Sequence, residues 1–242
     1  MNEHKTKIRF AIVWLVMYLI GLPISNKLSD MIGIPNLCTA IYRFLFVLIM
    51  LLYLYRKNLL SFYGISSLKQ LDSRGLLYYV PLGLLVVVPL CFGIQFSFSL
   101  GQILLLSLSA LCIGFIEEML MRGFLFKALI EKGKVLAIVI SSSAFGLIHI
   151  VNLLGGADIL YTIMQIIFAC AFGFVCAVFY YKTNNIIPCI ICHSLLDLGA
   201  LFWTEDTNKG YMIFGVLAFI SLFYGVYLLI TGKRALKQVE KI

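Results

Sequence analysis

The spacing of the apolar residues constrains this chain more than anything else: runs about twenty residues long follow one another from end to end, and the links between them hold most of the charge. About twenty apolar residues in a helix cross the hydrocarbon core of a bilayer. In lipid every backbone polar group must be satisfied internally, so runs of this length are expected to be helices. Eight are read, at residues 9–25, 37–55, 76–96, 101–121, 135–153, 159–181, 185–203 and 211–231. The expected fold class is all-α, a polytopic membrane protein with about eight transmembrane helices, and residues 1–242 are read as one integral membrane domain. Composition agrees, with 62% hydrophobic and 12% charged residues, against about a quarter charged in an average soluble domain.

The net charge is +8, and its placement matters more than its size. Lys5, Lys7 and Arg9 precede the first run; Arg56, Lys57, Lys69 and Arg74 follow the second; Lys127, Lys132 and Lys134 follow the fourth. Lys182 follows the sixth, and Lys233, Arg234, Lys237 and Lys241 follow the eighth, while the opposite links hold only Lys27 and Lys209. Basic residues in short loops mark the cytoplasmic side. The expectation is a multi-pass protein of the cell membrane with an even number of spans and both termini in the cytoplasm. Basicity is then accounted for by topology and by attraction to anionic lipid, which argues against nucleic acid as a partner.

The first run has the basic flank of a signal peptide, but no small-residue cleavage site follows and Pro23 lies inside its end; it is read as a retained span. Residues 59–74 mix apolar and polar positions and are expected to lie as an amphipathic piece on the cytoplasmic surface. The seven cysteines fall almost entirely within apolar runs, where a free thiol behaves as a small hydrophobe. Cys189-Ile-Ile-Cys192-His193 matches a haem-attachment string. It sits among apolar neighbours near the cytoplasmic end of the seventh run, whereas covalent attachment needs an accessible segment on the outer face.

The polar residues inside the runs carry the functional signal, because an ionisable group at bilayer depth is costly. Glu117 and Glu118 end the run Leu100 to Ile116, and Arg122 follows Glu118 by four residues, a helical spacing that permits an ion pair. Glu117 is rotated about 100° from Glu118 around a helix, so one acid can be held by the arginine while the other faces a cavity as a general base. Two of the three histidines, His149 and His193, lie in the fifth and seventh runs. Phe145 precedes His149 by four residues and Asp197 follows His193 by four, so each pair shares a helix face. An aromatic beside an imidazole restricts its rotamer; a carboxylate beside one orients it or ligates a metal with it. These groups are the inventory of an acid/base hydrolase, or of a metal site with an open position. Glu117, His149, His193 and Asp197 are the candidate ligands if a divalent metal such as zinc is used. The local H-E-x-x-H string is absent, so any metal site has to be assembled from separate helices.

Glu117-Glu118-Met-Leu-Met-Arg122, Phe145-Gly-Leu-Ile-His149 and His193-Ser-Leu-Leu-Asp197, in that order, resemble the E-E-x-x-x-R, F-x-x-x-H and H-x-x-x-N/D motifs of the CPBP family, the CAAX-protease and bacteriocin-processing intramembrane endopeptidases, also called the Abi family. The resemblance covers about residues 100–205. It implies helices around a cytoplasm-facing intramembrane cavity in which peptide bonds of a peptide or membrane-protein substrate are hydrolysed. It further implies that Glu117 and His149 activate water, with or without a metal, that His193 and Asp197 stabilise the oxyanion or complete a metal site, and that Glu118 and Arg122 hold the geometry. The third motif ends in Asp where the eukaryotic CAAX proteases have Asn. A charged Asp is the poorer oxyanion donor, which favours a ligand or His-orienting role for Asp197.

Two further features concern the helix bundle. Ala169, Gly173 and Ala177 recur every four residues and are expected to permit close helix approach. Pro188 opens the seventh run, either as a break that widens substrate access or as a first-turn proline. The alternative function is a non-proteolytic bacteriocin-immunity or regulatory membrane protein that binds a peptide or partner; a proton relay or small transporter would use the same Glu, His and Asp residues.

Overall fold

A computed structural model describes residues 3–65, 76–95, 98–203 and 206–231. These residues are helical throughout, apart from turns, links and a single isolated bridge between Ile94 and Trp203. Lys69, Arg74, the basic residues beyond 231 and most of the amphipathic piece expected at 59–74 lie outside the described residues.

Among the described residues eight main helical elements follow one another: α1 Glu3–Ile32, α2 Leu37–Arg56, α3 Leu76–Val87, α4 Leu100–Glu118, α5 Lys134–Leu147, α6 Ile159–Thr183, α7 Ile187–Ala200 and α8 Thr207–Thr231. Helix α3 tightens into a 3-10 turn, Val88–Phe92, and α5 into another, Ile148–Gly155. Helix α4 widens into a π-helical stretch, Met119–Phe126, and continues to Lys132. Among the described residues six helices are long and apolar enough to cross a membrane: Lys5–Ile32, Leu37–Arg56, Leu100–Lys132, Lys134–Gly155, Ile159–Thr183 and Thr207–Thr231. The third and seventh expected spans are shorter apolar helices, Tyr79–Phe92 and Ile187–Ala200.

Local chemistry sets the end of the third helix and the start of the seventh. Pro89 stands in the first turn of the 3-10 piece that closes the third run, and Gly93, at φ 125°, ends it. The seventh begins late because Asn184 takes φ 50° and the Asn185 side chain accepts from Ile187 N at 3.0 Å. Pro188 then sits in the first turn of α7, where its missing N–H costs nothing. The opposite deviation occurs in α1, which runs through Pro23 to Ile32, well beyond the expected end at 25.

The core is made by α6, which packs along α8 on one side and α5 on the other, while α4 lies against α7 and α2. Small residues set these distances. A side chain at Gly173 would meet Ser142 of α5 at 3.1 Å, and one at Gly146 would run into Cys170 of α6. A Cβ at Gly114 of α4 would collide with Ser194 of α7, the residue that follows His193. Close approach of α4 to α7 therefore brings the glutamates of one within reach of the imidazole of the other.

Candidate active site

Glu118 and Arg122 stand at the junction where α4 opens into the π-helical stretch, a local widening that recurs at functional sites. Both side chains are fully buried, and Arg122 Nη1 lies 3.1 Å from Glu118 Oε1. The guanidinium also sits over the Phe145 ring, 4.4 Å from its centroid, a cation–π contact that gains strength where water is excluded.

His193 of α7 bridges the two acids of α4. Its Nδ1 lies 3.2 Å from Glu118 Oε1; a carboxylate only accepts, so Nδ1 is the donor. Its Nε2 faces the other way, 3.9 Å from Glu117 Oε2 and 3.6 Å from Asp197 Oδ2. Both of those carboxylate oxygens are buried without a hydrogen-bond partner. Phe145 and Phe172 meet the imidazole edge-on, with centroids 5.4 and 5.5 Å away. Aromatic walls on two sides and acids at both nitrogens leave the ring one orientation.

The structure thus gathers Glu117, Glu118, Arg122, His193 and Asp197 from α4 and α7. His149 reaches the same region from the end of α5, edge-on to Phe145 at 5.8 Å, and no hydrogen bond or ion pair joins it to Glu117 among the described residues. A cavity of about 500 Å³ begins at Phe145, His149, His193 and Asp197 and widens between α6, α7 and α8 past Phe172 and Phe214 toward Trp203 and Thr207. Asp197 keeps 32% of its side chain exposed, Glu117 17% and Glu118 none. The two adjacent glutamates therefore occupy different settings: Glu117 is partly exposed beside Nε2 of His193, and Glu118 is sealed behind the imidazole.

Arg43 of α2 escapes the motif reading. It hydrogen-bonds the hydroxyl of buried Tyr18 and acts electrostatically on both Glu117 and Asp197. Its Nε is buried with no hydrogen-bond partner. The signal for it was present in the sequence, as a single arginine seven residues into an apolar run, where a charge calls for a reason.

A tetrahedral zinc holds its ligand atoms about 2.0–2.3 Å away, so they must lie close to one another. Glu117, His149, His193 and Asp197 do not gather in that way. Among the described residues, the set whose ligand atoms all lie within 4.8 Å of one another is Glu118, Cys176 and Cys189, fully buried. Glu118 is already held there by Arg122 and His193, and none of the three lines the cavity. The donors that face the cavity fit an activated water better than a metal. The haem string is likewise spent on packing: Cys189 Sγ donates to Cys176 O and Cys192 Sγ to Leu82 O.

Residues 99–199 match the family described as type II CAAX prenyl endopeptidase Rce1-like. This segment is similar to the CAAX protease family. The match spans α4 and nearly all of α7, and with them all three motifs; Arg43, Tyr18 and the far cavity wall at Trp203, Thr207 and Phe214 lie outside it. It supports an intramembrane endopeptidase of the CAAX type in general. No curated protein and no solved structure matches the chain.

Proposed function

We propose that the chain is an intramembrane endopeptidase that hydrolyses a peptide bond of a peptide precursor or membrane-associated substrate with water activated by Glu117. The observation that carries this reading is His193 held between carboxylates, its Nε2 facing Glu117 Oε2 and Asp197 Oδ2 beside an aromatic cavity. A scissile carbonyl lying at the cavity floor would have Glu117 on one side to take the proton of the attacking water, and the imidazole on the other. His149, on the cavity wall, assists in orienting that water. His193, protonated on both nitrogens so that Nε2 donates as well as Nδ1, stabilises the oxyanion, Asp197 steers the ring, and Glu117 returns the water's proton to the leaving amine as the C–N bond breaks. Glu118 and Arg122 do no chemistry in this scheme; they hold Nδ1 and hence the direction of Nε2. The same arrangement of eight helical elements is consistent with eight membrane passes, two of them by the short helices α3 and α7.

Positioned acid/base groups contribute roughly 10²- to 10⁴-fold to rate. Glu117→Gln, which keeps shape and removes the base, should lower kcat for a cleaved peptide by that order while leaving the protein folded and membrane-inserted. Cleavage by the purified wild-type protein should survive a chelator, since the cavity-facing donors are not spaced as metal ligands. Full processing by Glu117→Gln and His193→Ala together would sink the proposal.

A further inference from the structure

A pair of thiols between α6 and α7 takes no part in the hydrolytic scheme. Cys176 of α6 and Cys189 of α7 are both fully buried, Cys189 Sγ lies 3.7 Å from Cys176 O, and the two thiols hydrogen-bond one another. Cys189 stands in the first turn of α7, and the N-terminal end of a helix favours a thiolate. The third member of the cluster is Glu118 of α4: one ligand atom from each of the three lies within 4.8 Å of the others.

The carboxylate of Glu118 is only half used. Its Oε1 takes Arg122 Nη1 at 3.1 Å and His193 Nδ1 at 3.2 Å. Its Oε2 is buried with no hydrogen-bond partner among the described residues, and such an atom calls for an explanation, a bound ion among them. Thiols are weak donors to it. Two sulfurs and a carboxylate oxygen are, by contrast, a donor set for a soft or borderline cation. Around zinc, sulfur lies at about 2.3 Å and carboxylate oxygen at about 2.0–2.2 Å, so tetrahedral neighbours stand about 3.6–3.8 Å apart. The observed set needs to close by about 1 Å to reach that spacing.

We propose that Cys176, Cys189 and Glu118 hold a zinc-like divalent cation, a clasp that ties α4, α6 and α7 together behind the His193 ring. Charge balance favours it. The cation enters as the two thiol protons leave to water, S–H bonds giving way to S–metal bonds with no electron transferred. Burial beside Arg122 and His193 therefore adds no net charge. Oε1 keeps its hold on Nδ1, so the ion supports the imidazole through the carboxylate without touching the reacting groups. None of the three ligands lines the cavity, which separates this clasp from any metal that would activate water there. With all three side chains sealed, the ion is taken up as the helices assemble. The clasp does not depend on the hydrolytic reading.

The test measures the ion itself. Tag-free protein is purified from cells grown with added zinc or with low cadmium, passed over a chelating resin, and its metal content per chain determined. The wild type should retain a single ion. Its cadmium form should show thiolate-to-metal charge-transfer absorption and unfold at a higher temperature than protein from metal-depleted cells. Cys176→Ser and Cys189→Ser change shape little, and each should lose the ion, because removing a ligand should exceed the roughly 10- to 100-fold drop in affinity that follows loss of an outer partner. Cys112→Ser, a buried α4 thiol outside the set, should keep it. Unchanged metal content in either ligand variant places the ion elsewhere and overturns the site. A wild-type chain that carries no ion, or carries cadmium without thiolate absorption, overturns it as well; this reading of the wild type decides if a variant fails to fold. Cleavage enters none of these measurements, so failure of the clasp and failure of the hydrolytic reading are told apart.

Discussion

Arg43 is the residue whose role depends most on neighbours from other helices. It acts on Glu117 and Asp197 from across the bundle and is steadied by Tyr18. Removing its charge should take the nearby cation from Glu117 and Asp197 without disturbing the His193 ring, which is held by Glu118, Phe145 and Phe172. Arg43→Met should lower kcat by roughly tenfold, about 1.4 kcal/mol of barrier, with KM little changed, and Arg43→Lys should recover most of the loss. A Met variant with wild-type kcat would remove Arg43 from the site. The glutamates, histidines and Asp197 were legible because they stand at helical spacings in ordered motifs. Arg43 was not, because a lone arginine in an apolar run has no sequence partner and gains meaning only when α1, α4 and α7 pack around it. The bridging of both acids by one imidazole was also hidden: helical rotation separates Glu117 from Glu118, and only the two nitrogens of His193 rejoin them.

Among the elements, α4 and α7 matter most, and their separation is set by one missing side chain. A methyl group at Gly114 would meet the Oγ, N and Cα atoms of Ser194, of which backbone atoms cannot give way by changing rotamer. Gly114→Ala should force α7 outward and carry His193 away from Glu118 and Glu117. Overpacking of this kind costs about 1–3 kcal/mol, so a lower unfolding temperature should accompany loss of cleavage. Gly215→Ala, where nothing lies within 4 Å of the added carbon, serves as the control. Wild-type activity in Gly114→Ala would show that the helices can separate without cost to the site. Apolar run length made the helices readable, but not their ends. Gly93 ends the third run and Asn184 delays α7, and the π-helical widening after Glu118 leaves no mark in a hydropathy pattern.

At the scale of the whole molecule, the acid/base groups lie deep in the bundle, and the aromatic cavity is what connects them to one end of it. The charge asymmetry of the chain could be read from its sequence; the cavity could not, since its walls come from α6, α7 and α8 meeting across the fold. In the proposed reaction the cavity is the route by which a peptide reaches His193, so filling it should block turnover without touching the reacting groups. Ala200 lies on its wall one turn beyond Asp197, and it makes no part of the Glu118, Arg122 and His193 network. Ala200→Phe projects an aromatic ring into the space a substrate would occupy. The expected result is a rise in KM and a fall in kcat/KM of roughly ten- to a hundredfold, equivalent to about 1.4–2.8 kcal/mol, with an unfolding temperature near that of the wild type. If a peptide is still cleaved with unchanged kcat/KM, substrate reaches the histidines by another path, such as laterally between helices, and the cavity is not its entrance.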